Sequence, residues 1–154
     1  MINEQINHEL QSHYEYLALA AWFETTPYSG FASWMKKQSA EEQEHAMKFF
    51  KYLNDRGGAV VLNALAKPKT KYKSVVEAFK YALAQEQKIT KLIHKIYAQA
   101  EKGSDYETRH FLSWFLQEQV EEEKSALDMI ERLDLVGDSP HALLRLDATA
   151  GTRQ

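Results

Sequence analysis

Ser39-Ala40-Glu41-Glu42-Gln43-Glu44-His45 is the stretch whose reading decides how this chain folds. It lies inside a long helical pattern, with no glycine or proline nearby. At helical period, Trp34 or Met35, Gln38, Glu42, His45, Phe49 and Leu53 share one face. That stripe is apolar at both ends and carries a carboxylate and an imidazole in its middle. A charge on a buried face is costly unless something pairs with it. Glu42 and His45 stand at i and i+3, so their side chains can converge on one point. An E-x-x-H pair aimed into a helical bundle is one way to hold a metal ion.

Outward from this stretch, the six glycines and three prolines punctuate the chain. The pattern predicts a first helix from about Ile2 to about Thr25, stopped by Thr25-Thr26-Pro27. Its inward stripe is Ile6, Glu9, His13, Tyr16, Leu17 and Ala20. Ser29 is the expected N-cap of the second helix, which ends at Gly57-Gly58. Gly57 to Lys73 is irregular, and at about 3.3 Å per residue it can stretch over roughly 55 Å. The second helix measures only about 40 Å. This segment can therefore carry the chain back along the whole bundle before the third helix starts. Ser74-Val75-Val76-Glu77 and Ser104-Asp105-Tyr106-Glu107 are capping boxes opening the third and fourth helices. The third stripe is Val75, Phe79, Ala82 or Leu83, Glu86, Ile89, Ile93 and Ile96. The fourth is Phe111, Phe115, Gln119 with Glu118, Glu122, Ala126, Met129 and Leu133. Ser139-Pro140 opens a short fifth helix. With no core left to join, that helix is expected to bury itself in an oligomer, and Ala148 to Gln154 to fray. The strand signal is confined to Ala59-Val60-Val61-Leu62. The fold class is therefore all-α, a four-helix bundle with one long crossover between the second and third helices.

Each stripe is interrupted near its centre: at Glu9, at Glu42 with His45, at Glu86, and at Gln119 with Glu122. Counted from the turns, these positions differ in height by at most one to two helical turns. Four carboxylates, an imidazole and an amide can meet in one layer. Carboxylates crowded there would repel one another and lose hydration, and a multivalent cation removes both problems. Oxygen-rich ligands with one nitrogen favour Fe²⁺, Mn²⁺ or Zn²⁺. Two ions suit a bridging carboxylate, for which Glu42 is the best placed. Tyr16, two turns from Glu9, reads equally as a core aromatic or as a phenol beside the metals.

Composition excludes several rival chemistries. A net charge of −3 over 154 residues, with no basic block, gives no support for nucleic-acid binding. The absence of cysteine removes disulfides, zinc knuckles, iron–sulfur clusters and thiol catalysis. No apolar run approaches membrane-spanning length, and the polar, periodic start is unlike a signal peptide. A cytoplasmic protein is expected.

Several motifs carry a family resemblance. They are Asn7-His8-Glu9-Leu10 with Tyr16, Glu41-Glu42-Gln43-Glu44-His45, Glu86, and Phe111 through Lys124. With these the chain resembles a ferritin of the non-haem bacterial or archaeal type over nearly its whole length. The resemblance implies a single ferritin-like domain over 1–154, with the bundle at about 2–136 and the fifth helix at about 139–148. It implies that Glu9, Glu42 and His45 bind a first iron. Glu42 then bridges to a second iron at Glu86 and Glu122, with Gln119 and Tyr16 beside the pair. Glu41, Glu118 and Glu121 match a third iron site. It further implies ferroxidase activity with dioxygen or peroxide, and storage of ferric mineral within a 24-subunit homo-oligomeric shell. The fifth helix would line the shell's fourfold axes. Gln43 stands where bacterioferritin has a haem-ligating methionine, so no haem is expected. Arg109 and Leu112 stand where animal ferritins carry pore carboxylates. The alternative is a di-iron oxidoreductase or peroxidase of the rubrerythrin-like class, although such proteins usually carry a cysteine-ligated domain.

Overall fold

In the computed structural model, which describes residues 1–137 and 139–152, the helices follow one another as α1 (Ile2–Phe23), α2 (Ser29–Asp55), α3 (Val75–Lys102), α4 (Tyr106–Val136) and α5 (Pro140–Gly151). No strand is formed among the described residues. None of the described helices is long and apolar enough to cross a membrane. α1 pairs with α2 and α3 with α4, and the crossover joins the two hairpins. The bundle with one crossover stands as the sequence implies.

The helix ends show why each element stops where it does. Thr25 Oγ1 and Thr26 Oγ1 donate to the carbonyls of Trp22 and Phe23 at 2.7 and 2.6 Å, taking up acceptors that α1 leaves open. α1 therefore closes at Phe23, two residues before the expected end. At the end of α2, Gly57 takes φ +75, which suits a residue without a Cβ. The Ser74 hydroxyl accepts from Glu77 N at 3.1 Å and opens α3. The Glu77 carboxylate reaches back to Lys73 N at 2.6 Å.

Two expected caps are corrected. Ser104 does not cap α4; it turns the chain at φ +55, and Asp105 is the cap. Asp105 Oδ1 accepts from Thr108 N at 3.1 Å, and its Oδ2 from the Thr108 hydroxyl at 2.7 Å. Ser29 does not cap α2 either, because its hydroxyl makes no cap bond and Tyr28 holds the N-cap position. The capping acceptor comes from far along the chain: Asp147 Oδ1 accepts from Phe31 N at 2.7 Å.

That bond places α5, and it corrects the expectation that α5 has no intramolecular core to join. The helix runs to Gly151, beyond the expected end near 148, and buries Asp147 and Ala150 against its own chain. Gly30 allows the approach, since a Cβ there would sit 1.8 Å from the Asp147 carbonyl oxygen. Leu143 and Leu146 pack on the adjoining core, while Leu144 stays exposed. Of the tail expected to fray, 148–151 is helical and 153–154 lies outside the described residues.

The crossover is held by a ladder on α1. Asn3, Asn7 and Gln11, each four residues from the next, offer amides to a backbone that has no strand partner. Asn3 exchanges bonds with Val61 at 2.8 and 3.1 Å, and Asn7 bonds Val61 O and Asn63 N at 2.9 and 2.7 Å. Gln11 exchanges bonds with Ala66 at 2.7 and 3.2 Å. Side-chain amides thus satisfy the peptide groups of an extended segment.

Two apolar clusters fill the bundle. One gathers Phe23, Phe31, Trp34, Met35 and Phe79 near α5. The other gathers Ile6, Phe49, Ile89, Ile93, Leu112 and Phe115 toward the opposite end. Each such side chain contributes about 1.5–3 kcal/mol on burial. Leu112 is fully buried. On the α1 stripe, His13 is half-buried and Leu17 exposed, while Leu19 and Phe23 take the inward places.

Candidate metal centre

Between the apolar clusters lies a layer of buried polar side chains drawn from α1 to α4. Glu9 and Tyr16 come from α1, and Gln38, Glu42 and His45 from α2. Glu86 comes from α3, and Gln119 and Glu122 from α4; none is more than 4% exposed. The helical period alone puts them there, because the apolar neighbours on the same stripes drive their faces inward.

Within the layer, oxygen and nitrogen atoms of Glu9, Glu42 and His45 all lie within 4.8 Å of one another. His45, Glu118 and Glu122 form a second group by the same measure, so His45 faces both. His45 Nδ1 stands 3.4 Å from Glu42 Oε2. Burial, then the Lys48 charge, pushes the imidazole down to about 4, so this contact is not an ion pair near neutrality. A neutral imidazole keeps a lone pair for a cation.

The carboxylates are under strain of like charge. Glu42 is pushed well above the usual range by burial, then by the charges of Glu86 and Glu9 and a hydrogen bond with Glu9, and then by Glu122. Glu9 rises to about 7, chiefly through burial, and Glu86 rises for the same reason. Glu9 Oε2 and Glu42 Oε2 are buried and have no donor from elsewhere in the chain. Burial without donors is costly for a carboxylate. A proton shared between Glu9 and Glu42 relieves it in the metal-free site, and a cation would relieve it more fully.

Other polar groups hold the layer's outer atoms. The Tyr16 hydroxyl donates to Glu86 Oε1, and burial raises its own pKa well above the phenol range. Gln119 Nε2 donates to Glu86 Oε2 at 3.2 Å and to Thr90 Oγ1 at 3.2 Å. The Thr90 hydroxyl donates to Glu123 Oε1 at 2.6 Å. Gln38 Nε2 donates to Glu122 Oε2 at 2.6 Å, and Gln5 Nε2 to Glu9 Oε1 at 2.8 Å. Gln5 and Thr90 carry no signature in the sequence, since amides and hydroxyls occur on every helix face, whereas Gln38 falls on the inward stripe of the second helix. Gln5 and Gln38 do sit four residues before Glu9 and Glu42, on the same stripes, which is the signal available. Of the residues expected from the resemblance at a third site, Glu118 lies with His45 and Glu122, Glu41 is half-buried with Lys37 at 4.0 Å, and Glu121 is exposed.

The donor set fits a hard or borderline divalent ion: carboxylate oxygens, one neutral imidazole and a flanking amide. Comparison with known proteins narrows the ion. The Ferritin-like domain family matches residues 1–136. Bacterial non-heme ferritin of Staphylococcus haemolyticus is 41% identical over 142 residues, 92% of this chain and 86% of that protein. The Staphylococcus aureus (strain MRSA252) protein of the same name is 39% identical over 152 residues, 99% of this chain and 92% of its own. Among solved structures, an open pore ferritin from the hyperthermophilic archaeon Archaeoglobus fulgidus superposes with a TM-score of 0.97 at 42% identity, covering 99% of this chain and 94% of that one. A humanized archaeal ferritin gives 0.98 at 42% identity, covering 99% and 93%.

Proposed function

The chain belongs to the ferritin family and stores iron, and from that premise we propose that the acidic layer is its ferroxidase centre. Iron is the substrate and the cargo. Glu9, Glu42 and His45 take one ferrous ion. Glu42 bridges to a second at Glu86 and Glu122, about 3.5–4 Å away. The observation that carries this reading is the pair of buried, donorless oxygens of Glu9 and Glu42 beside a neutral His45.

The electron balance suits a pair of ions. Two ferrous ions release two electrons; dioxygen with two protons takes them and becomes hydrogen peroxide. Hydrogen peroxide with two protons takes them and becomes two waters. The protein's own groups position the ions. The neutral His45 offers a lone pair, and Glu42 spans both ions once its proton leaves. Tyr16 and Gln119 fix the two oxygens of Glu86. That hydroxyl bond favours a working role for Tyr16 over that of a core aromatic. Glu118 lies beside Glu122 and His45, where it can take an outgoing ion toward Glu41 and Glu121.

The same family reading extends to assembly, a cytoplasmic homo-oligomeric shell of 24 subunits. Aerobic oxidation of added Fe(II) by the wild type and by Glu42→Ala tests the centre. The variant should be slower by roughly a hundredfold, about 2.7 kcal/mol of barrier. Equal initial rates discard the centre.

A further inference from the structure

A small cavity of about 160 Å³ opens between α1 and α3, and none of Glu41, Glu118 and Glu121 lines it. Gln5, His8, Leu92, Lys95 and Ile96 line it, with Glu4. Gln5 and Ile96 are its buried wall, and Lys95 is exposed at its rim.

The Gln5 amide faces two ways. Its Nε2 donates to Glu9 Oε1 at 2.8 Å. Its Oε1 is buried and accepts no hydrogen bond. The amide nitrogen is the end that faces Glu9, so the amide oxygen is the end that points away. One side chain therefore separates the cavity from a ligand carboxylate of the centre. Farther along the same face, Glu9 Oε2 and Ser12 Oγ are buried and likewise lack donors or acceptors from elsewhere on the helix. Positions 5, 9 and 12 form one stripe. Unfilled hydrogen-bonding capacity thus runs from the cavity toward the acidic layer.

Unfilled acceptors call for a small molecule bearing O–H groups. Charge selects further. Lys95 lines the cavity, Lys88 acts on His8, and Glu4 is already engaged by the chain's amino group at 3.0 Å. Such a rim repels a divalent cation, and the apolar Leu92 and Ile96 admit a neutral species.

We propose that this cavity is the port through which hydrogen peroxide reaches the centre, with Gln5 Oε1 accepting its O–H beside Glu9. The proposal rests on the acidic layer being a ferroxidase centre. There the O–O bond breaks as two ferrous ions give up one electron each, and two protons complete two waters.

Three variants test the port. Leu92→Trp and Lys95→Trp fill the cavity from two positions, the second exposed and tolerant of substitution. Gln5→Met keeps the length and removes both polar atoms. Each protein is first loaded with Fe(II) without oxygen, and the bound ions are counted. It is then mixed with hydrogen peroxide or, separately, with dioxygen. With peroxide, the tryptophan variants should lose at least about tenfold in the second-order constant. Gln5→Met should lose more with peroxide than with dioxygen, by about two- to tenfold, the worth of one hydrogen bond. Unchanged peroxide constants in both tryptophan variants overturn the port. Equal losses with both oxidants in Gln5→Met overturn the role of its oxygen, leaving only the hold on Glu9. Failure of the wild type to bind Fe(II) strikes the ferroxidase reading instead.

Discussion

Asp147 and Glu42 are both buried carboxylates, 5% and 1% exposed, and the chain surrounds them in opposite ways. Asp147 is answered from within. Its Oδ1 takes the Phe31 N–H at 2.7 Å, at the N-terminus of α2, where the helix dipole also favours negative charge. Glu42 is set among Glu9, Glu86 and Glu122, and its Oε2 receives no donor. The first carboxylate completes a fold, holding α5 on α2. The second leaves a hydrogen-bonding deficit that a cation would fill. Burial alone does not separate a structural acid from a working one; the supply of donors does.

The comparison is broken most directly by supplying the ion. Anaerobic Fe(II) should stabilise the wild type, by about 4.1 kcal/mol when the free ion exceeds its Kd a thousandfold. Scanning calorimetry reads this as a raised unfolding midpoint. Glu42→Ala should lose most of the shift, and Asp147→Ala should keep it. A full shift in Glu42→Ala would place the ion elsewhere.

Protons sharpen it next, and the two residue types in the layer act with opposite signs. Glu9, raised to about 7, holds a proton in the metal-free fold that the unfolded chain has already released. Its contribution to stability is full below the unfolded carboxylate range and is lost as pH rises through about 7. Glu42 and Glu86 are raised and act in the same direction. His45, lowered to about 4, contributes stability above its unfolded range near 6.5 that is lost as pH falls toward 4. The imidazole therefore offsets one carboxylate between those values, and above about 6.5 the carboxylates act alone. Each excess proton is worth about 1.4 kcal/mol per pH unit. Midpoints of metal-free protein measured upward from pH 6.5 should fall, and Glu9→Gln should flatten the slope. A rising midpoint over that range would contradict the raised carboxylates.

The residues of the buried layer were legible in the sequence, and Asp147 was not, for a physical reason. Glu9, Glu42, His45, Glu86 and Glu122 interrupt stripes that are otherwise apolar, and helical period turns that pattern into depth. The bundle and its crossover follow from the same period and from the length of the irregular segment. Asp147 interrupts nothing: it sits in a short helix whose direction depends on a contact with Phe31, 116 residues away. The glycine that permits it, Gly30, looks from sequence like a turn residue. Nor does local pattern show that Asn3, Asn7 and Gln11 would serve as a rail for the crossover, or that Asp105 rather than Ser104 would cap α4. In each case the deciding partner is distant, or is backbone geometry.

The smallest effect is at Asp147 itself, and it tests whether a donor-satisfied carboxylate does no more than hold structure. Asp147→Ala removes the acceptor at the start of α2, and loss of a cap lowers stability by about 1 kcal/mol. Asp147→Asn keeps an acceptor oxygen without the charge, so it should lose less; the difference between the two isolates the dipole's share, about 0.3–1 kcal/mol. Neither substitution reaches the acidic layer, so Fe(II) binding and the first oxidation rate should stay at wild-type values while the unfolding midpoint drops. Gly30→Ala offers an independent route to the same end, because its Cβ would meet the Asp147 carbonyl at 1.8 Å and force α5 away without touching a charge. If Gly30→Ala and Asp147→Ala lower the midpoint while oxidation is unchanged, α5 is a clasp on α2. If either slows oxidation, the position of α2, and with it Glu42 and His45, depends on that clasp.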